Sequence, residues 1–484
     1  MRRIVFFLAL VEVSSGIIQG YYTPLYTDIA RHLGIRDADV NWLEALQLVV
    51  SAVAVPALAK LGDLWGHQRI LLLSAVVTAL AAWAVALAPG FPVFLLAWSL
   101  MGFYTVWLPL EIALIHGAAR ADASRAAGST ATDDGGPVPG DAGRATRRAA
   151  GILVAALEFG VIGGALAGGA LGETWAGFLP GVLAVPAVAL TLCCVAIAFG
   201  VPRSVPELTA GKSLDLPGLA WLAAFLVLLM GGLSLMRLNG PLDPLGWAAV
   251  MFGLLLLWPF ARQERKAGEP LVDLRVVTDR ALWPVFVTAG LFGVSVLGAQ
   301  APLSTFARTD PAAQGYGLGL STSQVSLVIG VYVLTLLLGA LLFPVACRWI
   351  APRRVLQGAA VLVGCGYLLF LPWHGSLTQV LVNMAIAGLG SGALVAALPA
   401  AAASAAPQGR TGMATGLTNA TKTVGGAIAS AVFGIALLHG AGQVASTTTA
   451  APLAGYLTVW ALCGATALVA ALLLQGVPKD AFTH

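Results

Sequence analysis

Residues 41–88 read NWLEALQLVVSAVAVPALAKLGDLWGHQRILLLSAVVTALAAWAVALA. Two apolar runs, 41–60 and 69–88, flank a short turn that holds Lys60, Asp63, His67 and Arg69. Each run is about the 20 residues a helix needs to cross the hydrocarbon core of a bilayer, and the charges collect between them. That is the pattern of a membrane hairpin, and the chain repeats it. Apolar windows fall at 4–26, 41–60, 69–88, 92–115, 149–171, 178–200, 217–236, 245–261, 281–304, 322–347, 354–372, 377–402, 412–438 and 453–475. The expected fold is therefore an all-α membrane protein with 14 transmembrane helices.

Composition agrees. The 484 residues are 58% hydrophobic and only 10% charged, too few charges to cover the surface of a soluble chain of this length. A net charge of +4 does not suggest a nucleic-acid partner. The opening MRRIVFFLAL has the basic start of an export signal. Its apolar run continues past Glu12 to about Tyr26 without a small-residue cleavage site, so it reads as a retained first helix. Cys193, Cys194, Cys347, Cys365 and Cys463 lie in or beside apolar runs without metal-ligand spacing, so they read as packing residues. No metal or cofactor is expected. The six histidines make no ligand pair at i,i+4 and no nucleophile–base set is evident, which argues against an enzyme.

An even number of crossings puts both termini on one side. Of 26 Lys and Arg residues, Arg31, Arg36, Arg237 and Arg308 fall on the far side and Lys422 lies within a helix. The rest fall on the side of the termini, which places both termini in the cytoplasm of a plasma or inner membrane. The expected organisation is an N-terminal six-helix bundle at 1–200, a linker with two extra helices at 201–280, a C-terminal six-helix bundle at 281–475 and a cytoplasmic tail at 476–484. Within the first bundle, residues 118–147 are rich in Ala, Gly, Ser, Thr and Asp without apolar periodicity and are expected to be a disordered cytoplasmic insert.

The turn Leu61-Gly62-Asp63-Leu64-Trp65-Gly66-His67-Gln68-Arg69 resembles the signature between helices 2 and 3 of the major facilitator superfamily. The resemblance implies a conformational latch of Gly62, Asp63, Gly66 and Arg69, in which the carboxylate caps a neighbouring helix and the basic residue clamps it. Leu214-Asp215-Leu216-Pro217-Gly218, Gly246-Trp247, Glu264, and Glu269-Pro270-Leu271-Val272-Asp273-Leu274 look like the 14-helix drug:proton antiporter (multidrug efflux) family. Helix 13, from Gly416 to Gly426, is similar to that family too, with Lys422 where arginine is usual. Helix 5 carries Gly160, Gly164, Gly168 and Gly169 at the spacing of an antiporter motif, which implies closure of that helix against the opposite half; Ala165 replaces the motif's proline. Two positions depart from the family: Ser15 stands where helix 1 usually has an acid, and Trp98 where helix 4 usually has a proton-relay arginine.

Other acids are available for proton coupling: Glu12 in helix 1, Glu111 in helix 4 and Glu158 in helix 5. A carboxylate within the membrane is costly unless it is protonated, paired or wetted, so each is a functional candidate. Each also has a plainer reading, as a helix-positioning group or, for Glu111, a solvated one. Glu12, Ser15, Gln19, Tyr22 and Tyr26 form a polar stripe on helix 1, and Tyr104, Trp107 and Glu111 share a face of helix 4. Ser15, Gln19, Tyr22, Tyr104 and Trp107, with Gln300 and Asn383 from the other half, are the candidate lining of a substrate cavity. Lys422 either pairs with an acid or snorkels. Glu44 is expected to face water. Together these readings predict a proton-coupled exporter of a small amphipathic or cationic compound, working as a monomer in the lipid bilayer. The competing reading keeps the fold but exports an endogenous metabolite, natural product or lipid.

Overall fold

The structure is a computed structural model that describes residues 2–129, 140–203, 214–268, 270–406, 411–439 and 450–476. Regular structure among them is helical throughout, as expected. The first half contains α1 (Arg3–Leu33), α2 (Asp37–Trp65), α3 (His67–Ala86), α4 (Phe91–Ala118), α5 (Ala149–Thr174) and α6 (Leu179–Gly200). Next come α7 (Leu216–Asn239) and α8 (Pro244–Lys266). The second half contains α9 (Trp283–Arg308), α10 (Thr322–Ala346), α11 (Pro352–Leu368), α12 (Leu377–Ala405), α13 (Met413–His439) and α14 (Leu453–Gly476). Thirteen of these are long and apolar enough to cross a membrane. The exception is α11, whose 17 residues span only ~25 Å against a hydrocarbon core of roughly 30 Å.

Three apolar cores organise the bundle. One is built from α1–α6, around Leu8, Leu43, Leu71, Trp107 and Leu190. A second is built from α9–α14, around Phe292, Val363, Met384 and Trp460. The third, around Trp42, Ala45, Leu226, Leu229, Ala427 and Ala431, forms where α7 lies over the line along which α2 of one half meets α13 of the other. The halves meet along a second line as well, between α5 and α10.

Glycines make the tightest helix pairs possible. A Cβ at Gly160, Gly164 or Gly168 of α5 would overlap the backbone of Val13, Ile17 or Tyr21 in α1. The second half repeats this between α9 and α13, where a Cβ at Gly293 would overlap the Lys422 carbonyl and one at Gly425 the Gly290 carbonyl. This corrects the expected role of the helix-5 glycines. Three of the four seat α5 on α1 in its own half, because they repeat every four residues on one face; only Gly169 turns to the opposite half, against Ser326 of α10.

Only the flanks of the expected insert at 118–147 are described. Helix continues from Trp107 to Ser129 and restarts at Gly140, so both flanks of 118–147 are helical, and residues 130–139 lie outside the described ones. Alanine is the best helix former, and the alanine-rich flanks ARADASRAAG and DAGRATRRAA follow that preference despite lacking an apolar face. At the start of α7, Asp215 accepts from Gly218 N at 2.9 Å and from Gln263 Nε2 of α8 at 3.0 Å. Glu264 accepts from Val272 N at 3.0 Å. The scattered acidic motif around α7 and α8 thus serves to cap helix and loop N–H groups.

Candidate functional site

At the face opposite the termini, the two halves are joined by a polar cluster. Arg308 Nη2 at the end of α9 donates to Asp28 Oδ1 of α1 at 2.6 Å, and Arg308 Nη1 donates to the Leu320 carbonyl at 3.3 Å. Thr322 of α10 donates to Asp28 Oδ2 at 3.3 Å, and Ser304 donates to the Thr23 carbonyl at 2.5 Å. Ser323 donates to Glu173 at the end of α5. Arg237 of α7 reaches Asp39 of α2 at 2.5 Å. Charge counting along the sequence had used Arg308 and Arg237 only to orient the chain; their partners, Asp28 and Asp39, carried no periodic or motif signal.

Behind this cluster lies a cavity of about 200 Å³ between the halves. Gln19, Gly20 and Thr23 of α1 and Leu157, Glu158 and Val161 of α5 line it from one half. Val296, Gln300, Ser304, Val325, Tyr332, Met384, Val395 and Lys422 are among its walls from the other. Glu158 and Lys422, each in the middle of a helix, are both part-buried and both line it. They feel each other's charge, yet among the described residues they are not joined in a direct ion pair.

Glu12 and Glu111 are brought together elsewhere. They lie inside the first half, 1% and 0% exposed, close enough to interact with each other. Among the described residues, no hydrogen-bond partner reaches Glu12 Oε1 or either oxygen of Glu111. Glu111 is therefore not solvated, and neither acid lines the cavity as expected. The helix-1 stripe is real, but its surroundings change along its length: α4 covers it at Glu12, and it faces the cavity at Gln19.

The other expected cavity residues divide in the same way. Gln19 and Gln300 line the cavity. Ser15 is buried beside it and is reached by Gln19 Nε2 at 3.4 Å. Tyr22 packs edge-on against Trp98 of α4 at 4.8 Å between ring centres, so an aromatic cluster fills the place where the resemblance would put an arginine. Trp107 is fully buried and donates to Ser74 at 3.1 Å, with Tyr104 edge-on to it. Asn383 is fully buried in the second half and donates to the Trp373 carbonyl at 2.7 Å. These aromatic and amide groups satisfy packing within one half and do not reach the cavity. Gly102 explains part of this: α4 tightens to a 3₁₀ segment at Gly102–Val106, where Gly102 lies against the Gln47 carbonyl and accepts from Ser51 at 2.9 Å.

In the turn between α2 and α3, His67 Nε2 sits 3.1 Å from Asp63 Oδ1, and Arg69 is exposed. The imidazole, four residues on from Asp63 across the Gly66 turn, is one partner of that carboxylate. Gly66 has φ 98°, a left-handed conformation that favours glycine, and a Cβ at Gly62 would crowd Leu110 of α4. Glu44 does not face water: it is 7% exposed and accepts from the Tyr26 hydroxyl at 2.6 Å. Tyr26→Phe removes the one donor to this buried carboxyl among the described residues and is expected to cost about 1–3 kcal/mol, read as a lower unfolding temperature of the purified protein. An unchanged transition would show that water replaces the hydroxyl there.

The bundle has relatives. Multidrug resistance protein Stp of Mycobacterium tuberculosis is 25% identical over 446 residues, which is 89% of this chain and 75% of the relative. Puromycin resistance protein pur8 of Streptomyces alboniger is 26% identical over 462 residues, 92% of this chain and 82% of that protein. A crystal structure of a peptide transporter POT in complex with sulfate superposes with a TM-score of 0.65 at 16% identity, covering 99% of this chain and 95% of the other. That likeness concerns the fold alone. The Major Facilitator Superfamily profile matches residues 8–309, more than half of the chain. With two helical halves, a cavity between them and this match, the chain belongs to the Major Facilitator Superfamily.

Proposed function

We propose that this transporter exports a small amphipathic compound with a cationic group in exchange for protons, by alternating access between its two halves. The drug-resistance names of the relatives support the cargo class. The buried Glu12–Glu111 pair carries the coupling half of the reading. Two neighbouring carboxyl groups in a water-poor site can gain or lose a proton only at a substantial change in energy, and such a change can bias which face of the bundle is closed. Glu158 meets the compound in the cavity, while the acid pair beside α1 answers to protons. Because α1 carries both Glu12 and Gln19, a shift of α1 links the two events.

The positive-inside asymmetry supports cytoplasmic termini in the plasma membrane, and the face closed by Asp28 and Arg308 is then the outer one. In vesicles turned inside out and acidified inside, the protein is expected to accumulate a dye or antibiotic substrate, and a protonophore is expected to abolish the accumulation. Accumulation that survives collapse of the proton gradient would end the antiport reading.

Opening the outer face requires Asp28 and Arg308 to part. Cysteines at both positions, in a background without the five native cysteines, are expected to react with a short reducible bifunctional thiosulfonate and lower transport by about tenfold or more, because a covalent link removes one of the two alternating states. Reduction is expected to restore it. Full activity in the cross-linked protein would show that this face does not open there.

A further inference from the structure

We infer that the central cavity selects a compound bearing one positive and one negative group on a compact apolar body, the positive group set by Glu158 and the negative group by Lys422. The inference rests on the cavity being the substrate site, as proposed above, and narrows the class that site takes. Each half supplies one charge. Glu158 comes from α5 and Lys422 from α13, the two helices whose glycines occupy matching places in the two halves. A direct ion pair would let each charge satisfy the other and leave the cavity neutral. No such pair is formed, and the two groups line the same space from different halves.

The remaining polar groups fit a dipolar guest. The carboxamides of Gln19 and Gln300 can each donate or accept. Tyr332 lines the cavity, and its buried hydroxyl makes no well-formed hydrogen bond. Thr23 and Ser304 add hydroxyl groups, and the rest of the wall is mostly apolar. A simple cation would satisfy Glu158 but be repelled by Lys422, and a simple anion would meet the reverse. Only a compound with both charges gains at both walls, which is selection by repulsion as much as by attraction. The volume, about 200 Å³, is below the roughly 300–1,000 Å³ of drug-sized pockets and points to a body about the size of one aromatic ring with a short chain.

Three probes share that body: 2-amino-4-phenylbutyrate carries both charges, 3-phenylpropylamine only the positive one and 4-phenylbutyrate only the negative one. Equilibrium binding to the full chain in lipid nanodiscs, measured by calorimetry without any gradient, is expected to favour the first over each of the others by about tenfold or more. Lys422→Gln is expected to erase its advantage over the amine, and Glu158→Gln its advantage over the carboxylate. Lys422→Arg and Glu158→Asp are expected to keep the preference and report that the fold is intact. Failure of all three probes to bind, equal binding of the amine and the dipolar probe, or ratios unmoved by Lys422→Gln would each overturn the inference. Because no gradient is used, a transporter that shows this selectivity without proton-driven export would refute the antiport reading alone. One that exports by proton exchange without the selectivity would refute this inference alone.

Discussion

Proteoliposomes carrying Glu12→Gln or Glu111→Gln are expected to lose gradient-driven transport while still exchanging substrate down its own gradient. The two carboxyl groups are neighbours at 1% and 0% exposure, and among the described residues no hydrogen-bond partner reaches Glu12 Oε1 or either oxygen of Glu111. Glutamine keeps the shape and can still donate to the remaining acid, but it fixes the proton count at that position. The loss should be at least about tenfold, since ~1.4 kcal/mol of bias between two conformations shifts their ratio by that factor. Glu12→Asp, still able to take up a proton, is expected to keep part of the coupling. Gradient-driven transport at the native rate in both glutamine variants would remove the pair from the coupling mechanism. Loss of downhill exchange as well would instead mark the pair as structural.

The second large effect is on stability and has opposite signs at two neighbouring glycines. Gly168→Ala places a methyl group on the Tyr21 carbonyl, backbone against backbone, where nothing can swing aside. Such overpacking costs about 1–3 kcal/mol, and separating α1 from α5 would disturb Glu12 and Gln19 with it. Gly163→Ala, on the same helix, meets nothing within 4 Å. There the substitution is expected to be neutral or to stabilise by up to about 1 kcal/mol, the helix-propensity difference between the two residues. Thermal unfolding of the two variants in one detergent makes the comparison. Equal unfolding temperatures would show that the α1–α5 contact relaxes more easily than its geometry implies.

The hairpins were legible because spanning helices announce themselves twice, by length of apolar run and by the charges between runs. Lys60, Asp63 and Arg69 mark the α2–α3 turn as plainly as any contact could. What a linear pattern does not carry is the rotation of one helix against another. Glu12 and Glu111 stand on helices separated by two others in the chain, and periodicity put each on a polar face without saying that the faces meet. The same limit explains Asn383, which hydrogen-bonds within its own half, and the glycines of α5, whose spacing was read correctly and whose partner was not. The flanks of 118–147 failed differently: composition argued against a packed core, but a helix needs only backbone propensity to form.

The placement of α7 has a consequence for molecules already dissolved in the bilayer. On one flank a lipid-borne guest would have to prise α7 away from both α2 and α13, against the apolar contacts of Leu226 and Leu229 and the clasp of Arg237 on Asp39. On the other flank the halves meet along α5 and α10, where Gly169 lies against Ser326 and Gly172 against Thr322. The two sides of the molecule are therefore unequal doors, and sideways entry from the hydrocarbon is easier at the one that carries no strap.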